Sequence, residues 1–224
     1  MRTERSDFIE RSANTLGQIY DSLNSLEGVA IKTLASEETA LVVVDLINGF
    51  AREGALQSPR VEALIPSIAK LAKACEKWGI VKLAFADAHP SSSPEFESYP
   101  PHCLAGTSES QLVEELKAIG HFTQIDKNST NGFLEPAFKD WLLHHEELNT
   151  FIVAGDCTDI CIAQFATTLK CHFNRLNRRV RVLVPLNAVD TFDFGMHNGD
   201  LMHAVALTMM QGSGVEVIKE IQLD

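Results

Sequence analysis

Ala40-Leu-Val-Val-Val44 runs without interruption into a carboxylate, Asp45. Such a run has no polar face. It reads as a strand buried on both sides, at the centre of a parallel sheet, with Asp45 delivered to the carboxyl edge. The pattern recurs in Thr150-Phe-Ile-Val-Ala154, which reads as a second buried strand, and Val81 to Asp87 reads as a further strand. The intervening segments carry helical spacing instead. Val61, Leu64, Ile65, Ile68, Leu71, Ala72 and Cys75 share one face of a helix over 61–77. Strands are expected near 40–45, 80–87, 121–126, 150–155, 180–184 and 214–219, and helices near 61–77, 109–119, 135–146, 159–174 and 197–210. Pro59 and Pro136 stand where a helix can begin, and Thr158 is the expected N-cap of the helix that follows it. This alternation predicts an α/β fold of three layers, α/β/α. Its six-stranded, mostly parallel sheet is joined by right-handed crossovers and covered on both faces.

In sheets of this kind the ligand sits outside the carboxyl ends of the strands. Three reactive side chains map there. Cys161 follows the strand end through Gly155-Asp-Cys-Thr-Asp-Ile-Cys161, in the first turn of the expected helix. The helix dipole and free N–H groups at that place stabilise a thiolate, so the thiol is expected to titrate low. Asp45 is the second, and Lys127, in Asp126-Lys-Asn-Ser-Thr-Asn-Gly132, is the third. Singly, each has an ordinary reading: a packing cysteine, a strand-end hydrogen-bonding group, a solvated charge. Together they offer a nucleophile, an acid/base and a cation that one sheet edge can converge.

These motifs, Asp45 in VVVDLINGF, Lys127 in DKNSTNGF and Cys161 in GDCTDIC, resemble those of the cysteine hydrolases of the isochorismatase-like superfamily, and within it the nicotinamidases (pyrazinamidases). They fall in the family's order of Asp, Lys, Cys, and the resemblance spans about Ala40 to Glu220. A fourth motif adds to it. Asp87 and His89 lie two apart at a strand end, so in extended geometry both point to one face and can chelate one ion. An ordinary polar loop competes with that reading. The Asp-x-His pair followed by Pro100-Pro-His102 and Gly106-Thr107 is similar to the metal site of the nicotinamidases. The resemblance implies Asp87, His89, Glu95 and His102 as ligands, with Glu97 competing for Glu95. Two imidazoles and two carboxylates suit one divalent transition metal: zinc, with manganese or iron as alternatives.

The resemblance implies an amidohydrolase that cleaves nicotinamide to nicotinate and ammonia. Cys161 would form a thioester, Asp45 would move the proton, and Lys127 would stay charged beside both. Backbone N–H groups of Cys157 and Cys161 would meet the oxyanion, with a cis peptide at Asp156–Cys157. Phe50 and Tyr99 are the candidate walls for the pyridine ring. Three other readings compete. A relative acting on another amide or an N-carbamoyl group would lack this metal set. An isochorismatase-type enzyme would lack the nucleophilic cysteine. An inactive metal-binding or thiol-sensing module would release no ammonia.

The 224 residues suffice for one core, and a net charge of −11 disfavours nucleic acid or an anionic membrane surface as a partner. No apolar run reaches the length of a membrane span, and MRTERSDFIERS lacks the apolar core of a secretory signal. An odd five cysteines, Cys75, Cys103, Cys157, Cys161 and Cys171, do not suggest a disulfide framework. They suit a reducing cytoplasm, the expected compartment. The expected division is a helical extension over 1–38 and a hydrolase domain over 39–224. In the extension Leu16, Ile19, Tyr20, Leu23 and Leu26 share a helical face, which is expected to cover apolar surface in a homo-oligomer.

Overall fold

The structure is a computed structural model that describes residues 3–224. Its strands are β1 (Val29–Ala30), β2 (Thr39–Val44), β3 (Val81–Asp87), β4 (Phe122–Lys127), β5 (Thr150–Gly155), β6 (Arg181–Pro185), β7 (Glu216–Ile218) and β8 (Ile221–Gln222). Six of them form one sheet in the order β4-β3-β2-β5-β6-β7, and every neighbouring pair is parallel. β2 and β5, the two unbroken apolar runs, lie side by side at its centre and are buried throughout. Successive residues of β2 face opposite layers. Leu41 and Val43 join Ile65, Ile68 and Leu71 of the helix Ile65–Trp78. Ala40, Val42 and Val44 join Phe138 and Trp141 of the helix Pro136–Leu143, and Phe165 and Leu169 of the helix Ala163–Arg175. The three expected layers are therefore present.

The chain leaves β2 toward β3 and β4, then returns to the other side of β2 through β5, β6 and β7. Order reverses between β2 and β5, and a crevice opens at such a switch point beyond the strand ends. Gly155 closes β5 against β2 there. Its φ is +119°, and a Cβ would lie 1.9 Å from the Val44 carbonyl oxygen, so no other residue fits.

Three helix expectations change. The helix expected over 61–77 begins at Ile65, because Pro66 in its first turn lacks the N–H that a continuous helix from Pro59 would need. The helix expected over 109–119 contracts to Glu114–Ile119. The carbonyls of Glu109 and Gln111 accept instead from Gly49 and Asn48, and the Val113 N–H donates to Leu46. Tertiary hydrogen bonds to the loop after β2 thus displace the local helix. Thr158 is not an N-cap: it opens a π-helical turn, Thr158–Ile162, and its hydroxyl pairs with His203 Nδ1 at 2.9 Å.

The N-terminal helix spans Arg5–Asn24. Leu23 is buried, and Ile19 and Leu26 pack on the layer that holds Phe138, Trp141, Phe165 and Leu169. Tyr20 departs from the expected covered stripe, with 69% of its surface exposed. Val29–Ala30 then pairs in parallel with Ile221–Gln222, so the segment after the N-terminal helix meets the C-terminal segment in a small second sheet. Among the described residues no helix is long and apolar enough to cross a membrane.

Candidate active site and metal cluster

Asp45 is the first residue past β2 and takes a left-handed backbone, φ +56°. That region is uncommon outside glycine and is characteristic of sites where the fold over-determines a side chain. The turn is held by the Asp45 N–H on the Phe85 carbonyl and by the Ile47 N–H on the Asp45 carbonyl. Asp45 Oδ1 accepts the Asp87 N–H at 3.1 Å, and Oδ2 lies 2.8 Å from Lys127 Nζ. Lys127, at the end of β4, also pairs with Asp87 and donates to the Ser129 carbonyl. Its Nζ is 3.8 Å from Cys161 Sγ. The structure thus brings together all three residues expected at the sheet edge, each of them buried.

Their charges follow from that burial. Burial disfavours the Lys127 cation, but the facing Asp45 and Asp87 carboxylates outweigh it and hold the ammonium protonated well above its usual range. Burial pushes the Asp45 carboxyl up to about 7, against the pull of Lys127. Burial also raises the Cys161 thiol well above its ordinary value, and Lys127 offsets only part of this. The expectation of a low-titrating thiol is therefore corrected. The first turn is π-helical, and removal from water outweighs the pull of the lysine. Burial thus favours the neutral thiol over the thiolate at Cys161.

Asp156–Cys157 is a cis peptide, as the resemblance implies. The Cys157 carbonyl accepts N–H groups of Ile160 and Ile162, both at 3.1 Å, which ties the turn that carries Cys161.

Beside these residues lie Asp87, at the end of β3, and His89, Glu95 and His102 from the loop that follows. One ligand atom from each falls within 4.8 Å of the others. His89 Nε2 and His102 Nε2 are 3.4 and 3.6 Å from Asp87 Oδ2, and His89 Nε2 is 3.8 Å from Glu95 Oε1. His102 Nδ1 donates to the Pro100 carbonyl at 2.9 Å, and His89 Nδ1 pairs with Asn128 Oδ1 at 2.9 Å. Each outer nitrogen is thereby engaged, and each Nε2 is turned inward, the arrangement typical of metal-binding imidazoles. His89 Nε2 is buried with no hydrogen-bond partner. Burial disfavours the protonated form of His89, yet the Asp87 carboxylate outweighs it and raises the imidazole above its ordinary value. An orphaned nitrogen among two carboxylates fits a cation. Glu97 is exposed and outside this cluster. Cys103 is buried behind the cluster, and burial raises its thiol far above the usual range.

A cleft of about 530 Å³ opens onto Cys161. Phe50 and Tyr99, the expected ring walls, both line it and flank His102, with centroids 5.7 and 6.1 Å from that ring. The sequence reading missed Arg60, Ile160, Phe192, Phe194 and His197, which line the cleft as well. The last three lie in Asp190-Thr-Phe-Asp-Phe-Gly-Met-His-Asn-Gly199, which has no strand or helix period. The available signal was a stretch dense in Asp, Phe, Gly and His between a strand and a helix.

The Isochorismatase domain profile matches residues 39–222. Over 215 residues the chain is 33% identical to Nicotinamidase 1 of Arabidopsis thaliana, an alignment that takes in 82% of this chain and 86% of that one. Among solved structures, a pyrazinamidase of Pyrococcus horikoshii in complex with zinc superposes with TM-score 0.66 at 22% identity, covering 81% of this chain and 99% of that one. N-carbamoylsarcosine amidase from Thermoplasma acidophilum gives TM-score 0.65 at 22% identity, over 84% and 97%.

Proposed function

The chain belongs to the isochorismatase family, and from that premise we propose that it is a nicotinamidase, hydrolysing nicotinamide to nicotinate and ammonia. The observation that carries this is Lys127 Nζ, which lies against Asp45, Asp87 and Cys161 and so links the candidate nucleophile to the candidate metal cluster.

The proposed reaction runs through Cys161. Its Sγ attacks the carboxamide carbon while the thiol proton passes to Asp45. A carboxyl titrating near neutrality is suited to accept that proton and to return it. The tetrahedral oxyanion is met by the backbone N–H groups of Cys157 and Cys161, each such donor being typically worth about 10²–10³ in turnover. Asp45 then protonates the departing nitrogen, and ammonia leaves a thioester on Cys161. Water attacks the thioester as Asp45 takes its proton. The proton returns to sulfur and nicotinate is released. Lys127 remains charged throughout and keeps Asp45 aimed at the sulfur.

Asp87, His89, Glu95 and His102 are the residues that would hold the metal. When bound, a divalent metal supplies a Lewis acid for the pyridine nitrogen, which fixes the ring with its carboxamide toward Cys161. Zinc fits the nitrogen and oxygen donors, and the pyrazinamidase of similar fold was solved with zinc. Phe50 and Tyr99 hold the ring from the His102 side. The four-residue cluster, buried at all but Glu95, favours a ring-nitrogen substrate over an N-carbamoyl one, although an N-carbamoylsarcosine amidase shares the fold. Ammonia and nicotinate are expected in equal amounts from nicotinamide. Ammonia from N-carbamoyl compounds alone would reject the proposal.

A further inference from the structure

The loop from Asp190 to Gly199, between β6 and the helix Gly199–Gly212, lies at the cleft without a role in the chemistry above. Two anchors hold it. On one side Arg60 Nε donates to the Thr191 carbonyl at 2.9 Å, while its Nη2 and Nη1 reach Asp190 and Asp200, both at 2.8 Å. On the other side His197 Nε2 lies 2.8 Å from Asp159 Oδ2, in the same turn as Cys161. Within the loop, the Phe194 and His197 backbones bond reciprocally at 3.0 and 2.8 Å. His197 Nδ1 donates to the Phe192 carbonyl at 2.9 Å. The two rings are stacked, with centroids 4.0 Å apart and planes within 7°. Phe192 is thus fixed by its own carbonyl, by a ring against its face, and by an anchor at each end of the loop.

Phe192 and His197 both line the cleft that contains Cys161. Phe50 and Tyr99 stand on the His102 side, whereas this pair is tied to the Cys161 turn. A rigid aromatic surface loses little freedom on meeting a flat ligand and favours aromatic over aliphatic ones. We propose that the Phe192–His197 stack selects flat aromatic amides, Phe192 as the specificity-determining residue and His197 as a positioning residue that backs it. This rests on the amidohydrolase reading of the same cleft.

The test measures kcat and KM for nicotinamide and for isobutyramide in the full-length, metal-loaded wild type and in Phe192→Ala, Phe192→Tyr and His197→Gln. In parallel, calorimetry follows nicotinamide binding to Cys161→Ala with and without Phe192→Ala. Phe192→Ala is expected to raise KM for nicotinamide about tenfold, the factor that corresponds to 1.4 kcal/mol, with kcat within about twofold. It should narrow the preference for nicotinamide over isobutyramide. Phe192→Tyr should restore KM, and His197→Gln should raise it by a smaller factor. An unchanged KM in Phe192→Ala, or equal losses for both amides, would overturn the proposal. Should wild type release no ammonia from nicotinamide, the reaction assignment fails, and the calorimetric pair still decides the wall. Equal binding with and without Phe192, or none to Cys161→Ala, would overturn it.

Discussion

Cys157 and Cys161 sit four residues apart, and the proposed reaction assigns the nucleophile to Cys161 alone. Cys161 Sγ lies 3.8 Å from Lys127 Nζ, whereas the Cys157 sulfur lies 3.7 Å from Asp156 Oδ2. Cys161→Ala is expected to abolish ammonia release while leaving circular dichroism and metal content unchanged. Cys157→Ala should retain substantial turnover, because its assigned contribution is a backbone N–H. Reversed effects in the two variants would reassign the nucleophile. A second expectation belongs to Lys127. Lys127→Met leaves Asp45 and Asp87 facing each other without a cation, and uncompensated buried charges of this kind cost about 3–5 kcal/mol. Urea unfolding of this variant should therefore show a clear loss of stability alongside the loss of turnover. An unaltered midpoint would deny Lys127 its buried pairing. At this scale Asp45 and Cys161 were legible as candidates, because one ends an apolar run and the other follows a glycine turn, while Lys127 stood out only through the ordered set of three motifs. Their ionisation was not legible. A helix start in the sequence suggested a reactive thiolate, but the thiol's protonation depends on how completely the neighbouring layers exclude water.

The elements divide between those that local pattern specifies and those that tertiary bonding decides. β2 and β5 were readable as unbroken apolar runs, and their adjacency places Asp45 beside the Cys161 turn. The segment 109–113 has helical composition, yet its backbone is spent on Leu46, Asn48 and Gly49, partners that no local period reveals. The loop after β3 is the element that gathers the metal cluster. The spacing of Asp87 and His89 allowed a shared ion, and only the resemblance favoured that over an ordinary polar loop. Glu95 was separable from Glu97 only once the 3₁₀ turn Pro94–Glu97 placed one inward and the other in solvent. Metal analysis is expected to find about one transition-metal ion per chain, as a four-residue site implies. His89→Ala and His102→Ala should each lower that content. Glu95→Ala should lower it more than Glu97→Ala. Undiminished metal in both histidine variants would move the ion elsewhere. The loop from Asp190 to Gly199 lay outside any such reading, since its aromatic residues act through stacking and anchors distant in the chain.

For the whole molecule, the N-terminal segment has two faces. Leu23, Ile19 and Leu26 pack on the chain's own core, and Val29–Ala30 pairs with the C-terminal strand. Phe8, Ile9 and Tyr20 remain exposed, and we propose that they meet a second copy of the chain. A protein starting near Glu37 should therefore be both less stable and less assembled by light scattering. A monodisperse monomer at both lengths would reject the assembly. The pairing of Val29–Ala30 with Ile221–Gln222 was not readable in the sequence, because strands so short carry no period. The six-stranded architecture was, because alternation of strand and helix over most of the chain leaves few other arrangements. What this architecture does is decided most directly by the specificity constants for nicotinamide, pyrazinamide and benzamide on metal-replete protein. Holding the ring nitrogen at the Asp87, His89, Glu95 and His102 cluster while the carboxamide meets Cys161 is positioning, which contributes roughly 7–11 kcal/mol in favourable systems. Nicotinamide and pyrazinamide, which both keep that nitrogen, are expected to be cleaved with comparable efficiency, and benzamide far more slowly. Equal constants for benzamide and nicotinamide, or no ammonia from any of the three, would contradict it.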